Sequence, residues 1–190
     1  MKVLIIDNHD SFTYNLVGII EQTGLCEVVV IKNEKKNLKF IKGFDKYVFS
    51  PGPGIPSEEE GLMKHILGKF GTSKSVLGVC LGHQAIAEFY GAKIINLSKV
   101  FHGIKAEIKV TDSSEYLFSG LPKIIQVGLY HSWGVSSKEF PECLNVTAES
   151  EEGIIMALSH KTYDIKGLQF HPESIMTETG NAIITNWIKQ

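Results

Sequence analysis

Short apolar runs alternate with amphipathic stretches through the first half of the chain. Four of the runs have the length and composition of buried strands: Val3–Ile6, Cys26–Ile31, Tyr47–Phe49 and Val76–Val79. Each is followed by residues that favour a turn or a helix. This alternation is typical of βαβ units, so we expect parallel strands with helices packed against them.

The predicted helices carry their own start signals. Asp10 or Ser11 can cap a helix after the first strand, because short polar side chains accept hydrogen bonds from free N–H groups there. Ser57 and Glu60 form a capping-box pattern before the next helix. Apolar residues at helical spacing over residues 182–188 predict a last helix.

The second half of the chain has a different pattern, with short β-rich runs at Ile104–Val110, Ile124–Val127, Ile154–Leu158 and Gly167–Phe170. Such runs are typical of antiparallel strands added to one side of a parallel core. A chain of 190 residues is about the length of one domain. We therefore predict an α/β fold, a single domain over residues 1–190 with a central, mostly parallel sheet flanked by helices and a smaller antiparallel β addition.

Charge and cysteine content narrow the range of functions. The chain has 19 basic and 21 acidic residues without a long block of either, so we expect no nucleic-acid partner. No apolar run approaches the ~20 residues that cross a bilayer, and the start is too acidic for a signal peptide. Three dispersed cysteines favour neither a metal site nor disulfides and indicate a reducing compartment. We expect a cytoplasmic protein without a membrane partner or a bound metal.

The segment Gly78–Gly82 has the G-x-nucleophile-x-G form of a sharp strand-to-helix turn, with Cys80 at its centre. Glycines flank the nucleophile because the turn leaves no room for larger side chains. A thiol at a helix N-terminus faces unpaired amides and the positive end of the helix dipole, which favour the thiolate. By itself the motif leaves a buried structural cysteine as an alternative.

A second motif, Gln169–Glu173, follows a predicted strand. Proline at position 172 favours extended chain before it, and residues two apart in extended chain point the same way, so His171 and Glu173 should share a face. A carboxylate beside an imidazole fixes its tautomer and stabilises the imidazolium. We predict that Cys80 attacks, His171 moves the proton and Glu173 orients the histidine, although a short H-P-E sequence also arises by chance.

A third motif, Pro51–Gly54, follows another predicted strand of the same sheet, where open α/β sheets collect their ligands. Proline has no amide hydrogen, so Gly52 or Gly54 would supply an N–H to a developing oxyanion, together with the N–H of Leu81. The alternative is a rigid turn without a catalytic role.

These three motifs, at 51–54, 78–84 and 169–173, together resemble the class I glutamine amidotransferases. The segments at 7–16 and 130–132 are similar to those of the small glutamine-hydrolysing subunits of anthranilate synthase and of aminodeoxychorismate synthase. The resemblance covers nearly the whole chain.

The resemblance implies hydrolysis of L-glutamine to glutamate and ammonia through a thioester on Cys80, with His171 as base and then acid, oriented by Glu173. It also implies a set of residues that hold glutamine: Gly52, Pro53, Gly54, Leu81, Gln84, Ser132 and Trp133. Ammonia would pass to a chorismate-binding large synthase subunit. The resemblance implies no cofactor in this chain and magnesium in the partner.

Some positions differ from the pattern of these subunits: His9 replaces tyrosine, Trp133 replaces leucine, and the segment 101–105 carries an extra residue. They affect the expected pocket rim and partner surface. Three alternatives stay open at this point. The first concerns the partner, which makes anthranilate, our first hypothesis, or the aminodeoxychorismate of folate synthesis, unless the chain serves both synthases. The second is that the chain is a cysteine peptidase. The third is that it is a non-catalytic scaffold.

Overall fold

A computed structural model describes residues 1–56 and 61–190 of the chain. This part contains eleven strands and four α-helices, with 3₁₀ turns at Lys35–Phe40 and Tyr116–Phe118. In chain order the elements are β1 (Lys2–Asp7), α1 (Thr13–Glu21), β2 (Glu27–Lys32), β3 (Lys46–Phe49), α2 (Leu62–Phe70), β4 (Ser75–Val79), α3 (Leu81–Phe89), β5 (Ile94–Asn96), β6 (Ile104–Val110), β7 (Ile124–Leu129), β8 (Trp133–Val135), β9 (Leu144–Ser150), β10 (Ile155–His160), β11 (Ile165–Leu168) and α4 (Gly180–Lys189).

One large sheet organises the molecule, with the strand order β2-β1-β3-β4-β11-β10-β9-β6-β7. The strands from β2 to β11 pair in parallel, and those from β11 to β7 pair antiparallel. Strands β5 and β8 form a separate antiparallel pair. The predicted α/β fold is confirmed, and most of the antiparallel addition extends the parallel sheet on one side.

Both faces of the parallel strands are buried, because helices cover the sheet on two sides. Val3 and Ile5 of β1 join a core cluster with residues of α1 and α4, whereas Leu4 and Ile6 join a second cluster with α2 and α3. Successive side chains of a strand point to opposite faces, so a continuous apolar run supplies both clusters. Each fully buried aliphatic side chain contributes roughly 1.5–3 kcal/mol.

The first helix begins later than the cap signals indicate. Phe12 is its N-cap residue and makes no side-chain cap, while the Asp10 carboxylate accepts a hydrogen bond from the Phe12 N–H at 2.7 Å. The Thr13 hydroxyl donates to Asp7 at 3.1 Å and joins the start of α1 to the end of β1. The predicted capping box of Ser57 and Glu60 lies outside the described residues.

The parallel arrangement collects several chain segments at one sheet edge. In neighbouring strands Phe49 of β3 pairs with Gly78 of β4, and Val79 pairs with Leu168 of β11. The residues that follow these strands therefore leave the sheet side by side. This edge carries all three predicted motifs. Within the described residues, the longest apolar helix is too short to cross a membrane.

Candidate active site

Cys80 occupies a strained turn between β4 and α3. Its backbone has φ 51° and ψ −102°, in a region that residues with a side chain rarely adopt. Two hydrogen bonds hold it there: the Cys80 N–H donates to Leu168 at 2.8 Å, and its carbonyl accepts from the Gln84 N–H at 3.1 Å. The sulfur is thus presented above the end of β4, at the start of the helix.

The flanking glycines are required by close backbone contacts. A Cβ atom on Gly78 would lie 2.3 Å from the Gly82 carbonyl oxygen, and one on Gly82 would lie 2.4 Å from the Phe49 carbonyl oxygen. Both distances are far below van der Waals contact. The steric reason inferred from the sequence is therefore present in the structure.

His171 lies past the end of β11, in a backbone position fixed by neighbouring segments. Its N–H donates to the Gly128 carbonyl at 3.1 Å, and its own carbonyl accepts from the Thr177 hydroxyl at 2.6 Å. The imidazole packs at an angle against Tyr130 and Phe12, with centroids 4.9 and 5.4 Å away. These contacts bury the ring and restrict its rotation.

Glu173 contacts His171 directly, with its Oε1 atom 2.6 Å from the imidazole Nδ1. His171 forms an isolated β-bridge with Gly128, as expected of an extended residue before proline. The expectation that extended chain continues to Glu173 is wrong, since the Ser174 N–H donates to the His171 carbonyl at 3.2 Å and closes a turn. The turn brings the two side chains together instead. With Nδ1 donating to the carboxylate, Nε2 is the nitrogen that can exchange a proton with sulfur.

The charges around His171 favour its protonated form. Burial alone would lower the pKa of His171, but its interactions with the nearby Cys80 and Glu173 outweigh burial and raise this pKa to about 10. The Nε2 atom has no hydrogen-bond partner of good geometry among the described residues. Catalytic hydrogen bonds are often long before substrate binds, so this geometry suits a nucleophile awaiting its substrate.

A pocket of about 190 Å³ opens beside the Cys80 sulfur. Its walls include every residue of the expected glutamine-holding set: Gly52, Pro53, Gly54, Leu81, Gln84, Ser132 and Trp133. Tyr130 and His131 complete the lining. A Cβ atom on Gly52 would lie 2.6 Å from both the Asn8 and Leu81 side chains, so glycine keeps this wall closely packed.

Gln84 connects two sides of the pocket. Its Nε2 donates to the Trp133 carbonyl at 2.9 Å and to Gln169 Oε1 at 3.2 Å. The same carbonyl contacts His131 Nδ1 at 2.9 Å. Burial lowers the pKa of His131 to about 4, so this imidazole is neutral at physiological pH.

Among the described residues, four side chains at the site are absent from the predicted set: Phe12, Tyr130, His131 and Gln169. Gln169 donates to the Cys80 sulfur at 3.7 Å, while Tyr130 and Phe12 pack against the imidazole of His171. Gln169 lies two residues before His171 in the same motif, and this spacing is the sequence feature that could have indicated a place in the site. The contacts of Phe12 depend on how α1 packs across the sheet edge, which no local pattern reveals.

His83 is a packing residue, although it lies in α3 close to the nucleophile. Its side chain is completely buried, and a Cβ atom on Gly167 would lie 2.6 Å from its Nδ1. Burial lowers the pKa of His83 to about 3. The neutral imidazole therefore packs closely between α3 and β11.

Two of the differences in sequence noted above, Trp133 and the segment 101–105, lie at the pocket wall, and none belongs to the Cys80–His171–Glu173 cluster. Trp133 lines the pocket. Phe101 stacks on His131 with centroids 5.1 Å apart, so the 101–105 segment supports the pocket wall. His9 is exposed and has φ 61°.

Comparison with known proteins identifies the family. The family model described as glutamine amidotransferase class-I matches residues 4–190. The chain belongs to this family. An aminodeoxychorismate synthase component 2 from Klebsiella aerogenes is 41% identical over 190 residues, covering 99% of this chain and 100% of the relative. An anthranilate synthase component 2 from Pseudomonas putida is 41% identical over 197 residues, covering 100% and 98%.

Solved structures agree on the fold of this class I glutamine amidotransferase. The crystal structure of a glutamine amidotransferase from Thermotoga maritima has a TM-score of 0.78 with 16% identity. It covers 100% of this chain and 96% of that one. At this identity the likeness concerns the fold alone.

Proposed function

We propose that the chain hydrolyses L-glutamine to glutamate and ammonia, with Cys80 as nucleophile, His171 as proton carrier and Glu173 as the group that orients it. The observation that carries the proposal is the meeting of these three side chains beside a pocket at one sheet edge. Cys80 comes from one of the predicted motifs, and His171 and Glu173 come from another. Family membership supports the same chemistry.

The reaction follows from the positions of the groups. The Cys80 thiolate attacks the carboxamide carbon of glutamine, and the N–H groups of Leu81 and of Gly52 or Gly54 stabilise the oxyanion. His171 donates its proton to the leaving nitrogen, ammonia departs, and a thioester remains. Neutral His171 then takes a proton from water, and the resulting hydroxide attacks the thioester. Glutamate leaves, and Cys80 returns as the thiolate.

The pocket suits a ligand of amino-acid size. Its volume of about 190 Å³ is smaller than the roughly 300–1,000 Å³ of sites for drug-sized ligands. Both N–H groups of Gln84 are occupied by protein acceptors, so its amide oxygen is the atom left to accept a hydrogen bond from the substrate ammonium group. The backbone at Ser132 and Trp133 lies on the same side and would hold the carboxylate end.

The ammonia would be used by a chorismate-binding large synthase subunit, with anthranilate as the first product to test. The names of the two relatives support such a partner, and they leave aminodeoxychorismate, or service to both synthases, as the alternative. Exposed apolar residues next in the chain to site residues, or two positions away, would provide a surface for it: Tyr14 and Val100 are each 66% exposed and Ile175 is 95% exposed. The chemistry proposed here uses no cofactor in this chain, magnesium would belong to the partner, and the complex would be cytoplasmic.

The test compares Cys80→Ala with Cys143→Ala, a matched change at a cysteine away from the pocket. Each variant is co-purified with the native large subunit and supplied with chorismate, magnesium and either glutamine or ammonia. Cys80→Ala should abolish glutamine-dependent synthesis and leave ammonia-dependent synthesis intact, because only the ammonia source is lost. Glutamine use by Cys80→Ala would overturn the proposal.

The same assay separates the remaining alternatives. A 2-amino aromatic product identifies anthranilate synthesis, and a 4-amino product identifies the folate branch. Peptide cleavage without ammonia release would favour a peptidase. Failure of an electrophilic glutamine analogue to alkylate Cys80, with and without the partner, would favour a scaffold.

A further inference from the structure

Gln169 is a buried polar residue directly beside the nucleophile. It is the first residue after β11, and its side chain is completely shielded from solvent. Its N–H donates to the Met156 carbonyl at 2.8 Å, which fixes the backbone from the neighbouring strand. A polar side chain is costly to bury unless its groups are hydrogen-bonded, so the partners of this amide indicate its purpose.

A chain of hydrogen bonds determines which end of the Gln169 amide faces Cys80. The Trp133 carbonyl can only accept, so the Gln84 group 2.9 Å away must be its NH₂ end. The other N–H of that group then requires an acceptor, and Gln169 presents Oε1 to it at 3.2 Å. The Gln169 Nε2 atom is therefore directed toward the Cys80 sulfur, 3.7 Å away.

We propose that Gln169 is a positioning residue that donates a hydrogen bond to the Cys80 thiolate and holds the sulfur in line with the substrate pocket. This inference rests on the proposed glutaminase function. A donor directed at an anion stabilises the charged form over the neutral one. His171 acts on the same sulfur, so the thiolate is held by a cationic group and by a neutral amide.

The amide also acts when the thioester breaks down. During that step the C–S bond breaks and its electron pair returns to sulfur, which regains its negative charge. The Gln169 N–H is already in place for this charge, so no reorganisation is needed. A residue with this role should affect turnover more than substrate affinity.

The experiment uses two variants of the full chain. Gln169→Glu keeps the acceptor for Gln84 and replaces the donor with a negative group, whereas Gln169→Met removes both functions at similar size. Gln126→Glu, an exposed glutamine on β7, is the matched control. Iodoacetamide alkylation of the Cys80-bearing peptide is followed by mass spectrometry across pH, with the Cys26 and Cys143 peptides as internal references.

Both variants should move the midpoint of Cys80 alkylation to higher pH, by about one unit or more for Gln169→Glu and less for Gln169→Met. Glutamine turnover should fall about tenfold with KM changed less than twofold. The control should match the wild type. If Gln169→Glu does not fold, Gln169→Met decides the result.

An unchanged alkylation midpoint in the folded variants would overturn this inference. That result is distinct from failure of the proposed function, which would appear as absent glutamine hydrolysis by the wild-type complex. Alkylation measures the sulfur directly and requires no turnover.

Discussion

Glu173 reaches back across a tight turn to place its carboxylate 2.6 Å from the imidazole of His171, two positions earlier. The Ser174 N–H closes that turn on the His171 carbonyl. The contact between the two side chains is therefore local. Distant elements still fix the histidine, through its hydrogen bond to Gly128 and its ring contacts with Tyr130 and Phe12.

Glu173→Gln should keep an acceptor beside Nδ1 but remove a negative charge that raises the pKa of His171. We expect glutamine turnover to fall about 10²-fold. The alkaline limb of the pH–rate profile should move to lower pH, because the imidazolium loses its proton more readily. Steady-state kinetics from pH 6 to 10 would measure both effects.

Glu178→Gln is the matched control for that change, since Glu178 forms an exposed ion pair with Lys105. It should keep wild-type turnover and an unshifted alkaline limb. A Glu173→Gln enzyme with the wild-type profile would remove Glu173 from the mechanism.

Gly82→Ala should damage both stability and activity. The added Cβ would meet the Phe49 carbonyl oxygen at 2.4 Å, and main-chain atoms cannot move aside as a flexible side chain can. We expect the free energy of unfolding to fall by about 1–3 kcal/mol, with a loss of glutamine hydrolysis as the turn at Cys80 shifts. Urea denaturation and glutaminase assays would measure the two effects.

Gly18→Ala provides the comparison, because Gly18 lies in α1 with no neighbouring atom within 4 Å of an added Cβ. Alanine there should raise stability by about 0.4–1 kcal/mol by restricting the unfolded chain. Equal effects of the two substitutions would contradict the steric account of the turn.

Stability should decline as pH falls below 6.5. The pKa values of His83 and His131 are lowered, chiefly by burial, to about 3 and about 4. Between pH 6.5 and these values the unfolded chain takes up protons that the folded chain refuses, at up to about 1.4 kcal/mol per pH unit for each group. The pKa of His171 is raised instead. Its contribution to the free energy of unfolding is therefore complete below pH 6.5 and is lost as pH rises through about 10.

His83→Met tests this account. Between pH 7 and pH 5 the variant should lose about 2 kcal/mol less of its unfolding free energy than the wild type, measured by urea denaturation. His65→Met, at an exposed position of α2, should keep the wild-type loss. If the wild type and His83→Met lost stability identically toward acid pH, His83 would be excluded as a cause of that loss.

Ile175→Asp should weaken binding of the large subunit at least tenfold, because a charge would replace an apolar side chain that is 95% exposed next to the catalytic turn. The melting temperature of the isolated chain should not change. Ile124→Asp is the control, since Ile124 is 59% exposed at the opposite end of β7 from Tyr130. Equal binding of the large subunit by both variants would show that the surface at Ile175 is not part of the interface.

Local patterns in the sequence were sufficient for much of the fold. The run Ile104–Val110 coincides with β6 at both ends. Alternation of apolar runs and helical stretches correctly indicated a parallel sheet, because each face of a βαβ unit must bury apolar side chains. Helix α1 starts one or two residues later than the cap signals predict: Phe12 is its N-cap residue, and the predicted cap Asp10 accepts the Phe12 N–H just before the helix.

For the candidate active site, too, local patterns predicted some residues and missed others. Glycine spacing around Cys80 and the H-P-E segment identified the groups suited to the chemistry. Gln169 belongs to a predicted motif but not to the predicted site, because its contact with sulfur depends on the pairing of β11 with β4. The turn at Glu173 differs from the predicted extended chain, because β11 ends at Leu168 and the chain folds back after His171.

The sequence alone determined which residue types stand at strand ends and which runs are apolar enough to be buried, since both depend on near neighbours. The tertiary structure alone decided that β11 lies beside β4, which brings residues 80 and 171 together across some ninety positions. It also decided which amide faces the sulfur. Such long-range pairings depend on the packing of the whole sheet, and no local segment encodes them.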